Sequence, residues 1–235
     1  MKLALIGGGA MGRLVSALAV DGGHEVGAVV TSADASLAPA ELADILRGHD
    51  AAVDFTVAGA VLRNVEACAL AGVPLVEGTT GWNERAEEAR AVVGRHDGAL
   101  VYGANFSVGV NLFYRIAARA AELFAAVEGY EPFIEEAHHS RKRDAPSGTA
   151  LQLRGIVAER VGREVPVAST RAGHIPGTHR VGFDSAADTV TLTHTARSRE
   201  GFAAGALVAA RRIRGRTGVY EFSETLDEIL ESRES

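Results

Sequence analysis

A chain of 235 residues, 47% apolar and 23% charged, has the make-up of an ordinary globular protein and is long enough to bury a sizeable core. Its formal net charge of −6, from 30 acids against 24 bases, argues against bulk nucleic-acid binding. The longest apolar runs, such as Leu14 to Val20, are too short to span a bilayer. Met1 to Ile6 is too brief for a signal-peptide core, so a cytoplasmic, unprocessed chain is expected. The single Cys68 allows no internal disulfide and no cysteine zinc cluster, and its place in a helical apolar pattern points to packing.

Lys2 to Ile6 reads as a short apolar strand, and Ala10 to Asp21 has helical spacing at Met11, Leu14, Val15 and Leu18. The alternation continues with strand 24–30, helix 40–47, strand 51–55, helix 59–70, strand 74–77, helix 83–95 and strand 99–102. Strands alternating with helices predict a parallel sheet covered on both faces. A long amphipathic helix over 108–127 is followed by a strand over 130–134, a basic loop, and a helix over 148–161. Three extended segments then follow without a helix, 165–172, 179–184 and 189–195, and predict an open, largely antiparallel but mixed sheet with the 130–134 strand. A helix over 202–213, a strand over 219–222 and a helix over 225–230 close the chain. The expected fold class is α/β: a Rossmann-like doubly wound parallel sheet at the N-terminus plus a C-terminal α+β domain. The expected boundaries are 1–106 completed by 199–235 for a dinucleotide-binding domain, and 107–198 for a substrate-binding and oligomerisation domain.

Gly7-Gly8-Gly9-Ala10-Met11-Gly12 fits G-x-G-x-x-G between the first strand and the first helix. There Gly7 permits a tight turn, Gly9 lets a pyrophosphate approach the backbone, and Gly12 allows close helix packing. The alternative is a glycine-rich turn that serves packing alone. No acid ends the second strand, where one would bind the ribose hydroxyls of NADH and repel the 2'-phosphate of NADPH. Two readings stand side by side: Thr31 and Ser32, helped by Arg13, take a 2'-phosphate, or Asp34 reaches back. The absent acid favours NADPH at least as much as NADH. Asp54-Phe55-Thr56, Gly78-Thr79-Thr80-Gly81 and Gly103-Ala104-Asn105-Phe106-Ser107 follow later strands of the sheet, on the rim where such sheets bind ligands.

The densest chemistry lies in Glu135-Glu136-Ala137-His138-His139-Ser140-Arg141-Lys142-Arg143-Asp144-Ala145-Pro146-Ser147-Gly148-Thr149-Ala150. The free amides of Gly148 and Thr149 at a helix start, beside a cationic loop, suit a carboxylate. A solvated basic turn is the alternative. His174, His179 and His194 read as ordinary sheet residues, and no metal-ligand spacing stands out.

Together the glycine loop, Asp54-Phe55-Thr56, Gly78-Thr79-Thr80-Gly81, Ala104 to Asn111 and above all the Glu136-to-Ala150 constellation resemble the 4-hydroxy-tetrahydrodipicolinate reductase family nearly end to end. The resemblance implies reduction of the cyclic C=N of a tetrahydrodipicolinate precursor by NADPH or NADH in lysine and diaminopimelate biosynthesis. It implies His138 as acid/base group, Lys142 as proton donor, and His139, Gly148 and Thr149 as substrate-binding residues. It also implies a cofactor held by Gly7 to Gly12, Gly78, Thr79 and Thr80, and Gly103, Ala104, Asn105 and Phe106, with no metal. A homotetramer is implied as well, and no nucleic-acid or membrane partner is expected. Thr31 and Ser32 depart from the family's acidic or acidic-basic pair. An aspartate- or homoserine-type dehydrogenase and a non-catalytic dinucleotide sensor are the competing readings. The first would not need this loop, and the second would be expected to have lost His138 or Lys142.

Overall fold

Alternate residues of the first strand face different layers: Leu3 and Leu5 join one buried cluster, Ala4 and Ile6 another. That alternation makes a two-sided sheet, and it sets the plan of the first half of the molecule. The structure, a computed structural model, describes residues 1–231. In chain order its elements are β1 (Lys2–Ile6), α1 (Ala10–Asp21), β2 (Glu25–Val30), α2 (Pro39–Leu46), β3 (Ala51–Asp54), α3 (Val61–Ala71), β4 (Leu75–Glu77), α4 (Ala86–Arg95) and β5 (Ala99–Tyr102). There follow α5 (Val108–Ala125), β6 (Glu131–His138), α6 (Gly148–Val161), β7 (Val167–Arg171), β8 (Gly177–Asp184), β9 (Thr189–Ala196), α7 (Glu200–Ile213), β10 (Gly218–Glu221) and α8 (Phe222–Glu231). The chain divides into two compact units, Met1–Val108 with the residues from Glu200 onward, and Gly109–Arg199.

The first unit is a six-stranded sheet in the order β10-β5-β4-β3-β1-β2, parallel throughout. From β1 the chain steps to β2 on one side and then to β3 on the other, so the strand order reverses at the carboxyl ends of β1 and β3. This doubly wound, Rossmann-like arrangement opens a crevice at that point. One face packs Leu3, Leu5, Val53, Val76 and Val101 against residues of α1 and α7, and the other packs Ile6, Leu75 and Leu100 against residues of α2, α3 and α4. α7 can lie close only because residue 205 is glycine: a Cβ there would fall 1.6 Å from the Phe106 carbonyl oxygen. Two helices enter through short 3-10 turns, at Ala58–Ala60 and Asn83–Arg85, where the sequence pattern suggests continuous α-helix. The last helix starts at Phe222 rather than Thr225, because the Phe222 ring is buried against Phe106 with centroids 4.7 Å apart. Of the expected 199–235 segment, residues 232–235 lie outside the described residues.

The second unit is a four-stranded sheet in the order β7-β6-β8-β9. β6 pairs parallel with β7 and antiparallel with β8, and β8 pairs antiparallel with β9, so the sheet is mixed. Ile134, Val181 and Phe183 face a core completed by Val110, Phe113, Tyr114 and Ala117 of α5 and Leu153 and Val157 of α6. On the opposite face Arg180 pairs with Glu135 at 2.9 Å, and Thr191, Thr193 and Thr195 are exposed. The sequence suggests a strand stopping near Ile134; the structure carries it to His138. Glu136 and His138 face inward in step with Ile134, and their buried hydrogen bonds replace the apolar pattern that a sequence reading follows. Among the described residues no helix is long and apolar enough to cross a membrane.

Candidate active site

At the crevice of the first unit the glycine loop is built as its spacing requires. Gly7 takes φ +108°, and a Cβ on it would fall 2.6 Å from the Phe55 carbonyl oxygen. A Cβ on Gly12 would fall 1.8 Å from the Gly7 carbonyl oxygen, so this position lets α1 start tight against the loop. Gly9 is different: it is exposed, a Cβ there would meet nothing within 4 Å, and no side chain caps α1. The twelve-residue helix thus starts without a side-chain cap beside an open Gly9, an arrangement that fits a dinucleotide pyrophosphate. Ala10 and Met11 are the first residues of that helix.

Gly78, Thr79 and Thr80 follow β4 on the same rim, and a Cβ on Gly78 would strike the Phe55 ring at 2.1 Å. Thr79 is buried, and its Oγ1 accepts from the Thr56 amide at 3.0 Å. Gly103, Ala104 and Asn105 follow β5, with the Asn105 side-chain oxygen accepting from the Ser107 amide at 2.9 Å. Phe106 is 2% exposed and belongs to the core, leaving its side chain no part in a ligand surface.

In the loop after β2 the acid and the threonine cap each other. Asp34 reaches back, Oδ2 accepting from the Thr31 amide at 2.8 Å and from the Thr31 hydroxyl at 3.3 Å, while Thr31 Oγ1 accepts from the Ala33 amide. This reciprocal cap brings a carboxylate to a loop whose Thr31 methyl lies 3.4 Å from the position of a Gly8 Cβ. Arg13 sends its guanidinium to the Gly8 carbonyl oxygen at 2.8 Å.

In the second unit the end of β6 and the start of α6 are tied together by one carboxylate. Glu136 is 3% exposed, and its Oε2 takes the His138 Nδ1 hydrogen bond. Its Oε1 accepts from the Ser147 amide at 3.3 Å. Arg171, the register partner of His138 on β7, grips both Glu136 oxygens at 2.9 and 2.6 Å and also donates to the Asp144 carbonyl oxygen at 2.6 Å. Burial would push the Glu136 carboxyl up, but the Arg171 hydrogen bonds and those from Ser169 and His138 hold it down at about 2. Glu136 is therefore charged, and His138 is fixed as the tautomer with its proton on Nδ1. His138 Nε2 is left facing Gly177, where a Cβ would approach to 3.0 Å. Burial is the largest effect on the His138 pKa and, with the Lys142 and Arg171 charges, lowers it against the raising hydrogen bond and charge of Glu136, which favours the neutral imidazole near pH 7.

Ser147 caps α6, its Oγ accepting from the Ala150 amide at 3.2 Å and contacting His179 Nε2 at 2.9 Å. Gly148 and Thr149 occupy the first turn, where amides have no intrahelical acceptor, and a Cβ on Gly148 would meet nothing within 4 Å. Lys142 is held by Asp144 at 2.9 Å.

The structure thus gathers His138 and the α6 start about Glu136, with Arg171 bridging to the Asp144 segment that also holds Lys142. His139 lies one residue past β6, its Nδ1 buried with no hydrogen-bond partner among the described residues. His138 is a strand residue, correcting the sequence reading that put it on the loop with Lys142. Three residues given no role in the sequence reading complete the arrangement: Glu136, Arg171 and His179. His179 is not an ordinary sheet residue, because its ring meets that of His138 edge-on at 5.1 Å and burial lowers its pKa to about 4. Glu136 and His138 share a face two apart on β6, which a strand read as ending near Ile134 did not show; Arg171 and His179 arrive by pairing across strands. Glu136, His138 and His179 also place ligand-type atoms within 4.8 Å of one another, a grouping hidden from sequence spacing. Arg171 and Ser147 already engage two of the three.

A doubly wound dinucleotide-type unit joined to a mixed-sheet unit with a cationic, helix-capped loop defines a two-domain oxidoreductase architecture. The model of the dihydrodipicolinate reductase N-terminus matches residues 1–106, and that of the C-terminus matches residues 109–226. The 4-hydroxy-tetrahydrodipicolinate reductase of Christiangramia forsetii is 34% identical over 244 residues, covering 99% of this chain and all of that one. That of Thiobacillus denitrificans is 39% identical over 225 residues, covering 87% and 83%. Among solved structures, a dipicolinate-bound dihydrodipicolinate reductase from Paenisporosarcina sp. TG-14 superposes with TM-score 0.78 at 22% identity, covering 94% of this chain and 97% of that one. An amine dehydrogenase from Mycobacterium smegmatis shares the fold at TM-score 0.62 and 10% identity, covering 94% and 95%. The chain belongs to the dihydrodipicolinate reductase family, pyridine-nucleotide-dependent reductases of lysine and diaminopimelate biosynthesis.

Proposed function

We propose that the chain uses NADPH or NADH to reduce the carbon–carbon double bond conjugated with the cyclic C=N of a tetrahydrodipicolinate precursor, giving 2,3,4,5-tetrahydrodipicolinate, which after tautomerisation keeps the C=N. One observation carries the reading of the second unit: a single buried carboxylate, Glu136, orients His138 and hydrogen-bonds the cap residue of α6. A proton-handling imidazole is thereby fixed beside a helix start that suits a substrate carboxylate. Lys142 and His139 supply further donors for the two carboxylates, with Gly148 and Thr149 binding through the first turn of α6. Dipicolinate, named as bound in the Paenisporosarcina relative, is a planar dicarboxylate of the same kind.

A bound reduced dinucleotide supplies the hydride. Gly7, Gly8, Gly9, Ala10, Met11 and Gly12 would hold its pyrophosphate, with Gly78, Thr79, Thr80, Gly103, Ala104, Asn105 and Phe106 lining its nicotinamide side, Phe106 through backbone alone. Proton delivery falls to His138 and Lys142. His138, whose pKa is lowered in the free protein, takes a proton when a dianionic substrate raises it and passes that proton to the ring nitrogen, with Lys142 as the second donor. Asp34 favours NADH, Arg13 counters it on the other side of the loop, and both cofactors are used. The sheet of the second unit, with its Thr-rich open face, is the natural contact for a homotetramer. The test is optical: NADH or NADPH should be oxidised on adding the aldol product of pyruvate and aspartate semialdehyde. No oxidation of either would overturn the proposal, and sedimentation as a monomer would overturn the assembly.

A further inference from the structure

β3 and β4 end side by side in two acids. Asp54 and Glu77 are register partners, both 0% exposed. Each has one oxygen satisfied: Asp54 Oδ2 accepts from Asn64 Nδ2 at 2.6 Å, and Glu77 Oε1 accepts from the Thr79 amide at 2.7 Å. The other two oxygens, Asp54 Oδ1 and Glu77 Oε2, are buried with no hydrogen-bond partner among the described residues, and the parallel register sets the two acids side by side on adjacent strands. Glu77 also holds the dinucleotide rim, since Thr79 accepts from the Thr56 amide through Oγ1 and from the single tryptophan, Trp82 Nε1, through its carbonyl at 2.9 Å.

We propose that Asp54 and Glu77 share one proton, and that this acid–carboxylate pair is a positioning element that keeps the Thr56 and Gly78–Thr80 backbone in the form that receives the dinucleotide. The role rests on the dinucleotide site proposed above. A proton between the two orphan oxygens satisfies both at once; without it two bare charges would face each other out of water. Burial raises both groups, Glu77 well above its ordinary value with the Asp54 charge adding to it. Among the described residues no cation pairs with either acid. Arg63 of α3 stops at Asn64 Oδ1, on the far side of the amide. The Cys68 thiol is pushed up by burial and then by the pair's own charge, and the hydroxyl of Tyr102, next to Glu77 on β5, accepts from Arg90 and donates to Glu221. Loss of the shared proton would repel the ends of β3 and β4 and release the Thr79 amide.

The experiment uses the full chain, with NADH as probe because it carries no titrating 2'-phosphate and Trp82 emission as readout. In the wild type the dissociation constant should rise as pH rises, by about tenfold per unit once the pair's last proton is lost, because only the protonated pair is competent. Glu77→Gln offers Thr79 an oxygen and Asp54 an N–H, so it should bind as the wild type does at neutral pH and show a flat profile. Glu77→Leu, lacking both, should bind at least about tenfold more weakly. Denaturation without ligand gives a second readout. A carboxyl raised on folding contributes stability below its ordinary value of 4.5 that is lost as pH rises towards the raised value, a slope Glu77→Gln should reduce. Identical binding profiles and identical stability slopes in wild type and Glu77→Gln would overturn the proposal even if Glu77→Leu fails to fold. A wild type that binds no NADH at any pH would overturn the dinucleotide reading and the positioning role with it, leaving the stability slope to decide the shared proton separately.

Discussion

Glu136 in the second unit and Glu77 in the first are both hidden from water near the carboxyl ends of strands, yet they sit in opposite electrostatic states. Glu136 is gripped by Arg171 and held down at about 2, so its charge is available to orient an imidazole. Glu77 has an acid for a neighbour in place of an arginine, and its carboxyl is pushed up. Burial acts on both in the same sense; the partner decides the outcome. Under the roles proposed above, the contrast separates two uses of a buried acid, one to fix a reacting group and one to brace a backbone.

The largest expected effect falls on the charged side of the contrast. His138→Ala or Lys142→Ala should lose roughly a hundred- to ten-thousand-fold in kcat with NADH affinity nearly unchanged, measured by steady-state kinetics and cofactor titration. Arg171→Met should come next, costing about 3 to 5 kcal/mol of stability by leaving the Glu136 charge buried and unpaired. Its pH dependence sharpens the comparison. Wild-type stability due to Glu136 is present above 4.5 and lost as pH falls towards about 2. In Arg171→Met the carboxyl becomes a raised group like Glu77, and acid should recover stability in denaturant titrations. Thr149→Ala should raise KM ten- to a hundredfold while sparing kcat, the worth of about 1.5 to 3 kcal/mol for one hydrogen bond to a carboxylate. The smallest effect belongs to Asp34→Asn, which keeps the Thr31 cap and removes an exposed charge. It should shift the kcat/KM ratio toward NADPH by about 1 kcal/mol, roughly fivefold.

The sheet of the first unit was legible because each strand carries its own apolar run and each helix its own period; Ala10–Asp21 and Ala99–Tyr102 stand where the pattern puts them. The glycine loop was legible too, since Gly7 and Gly12 answer to local geometry alone. β6 was read too short because its second half buries a glutamate and a histidine, and a polar strand gives no apolar alternation to follow. Asp54 and Glu77 were hidden for the same reason in reverse: each reads as an ordinary acid at a strand end, and only parallel pairing makes them neighbours. Arg171 lies 35 residues from Glu136, and no spacing rule predicts that it crosses to β6.

The central claim is that a dicarboxylate binds beside a His138 that is neutral until the ligand arrives. The measurement is calorimetric titration of pyridine-2,6-dicarboxylate into the cofactor-loaded protein near pH 7, in buffers of different ionisation enthalpy. The account predicts uptake of up to about one proton per ligand in the wild type and none in His138→Ala. Binding without proton uptake in the wild type, or binding of equal strength to a variant lacking both His139 and Lys142, would contradict it.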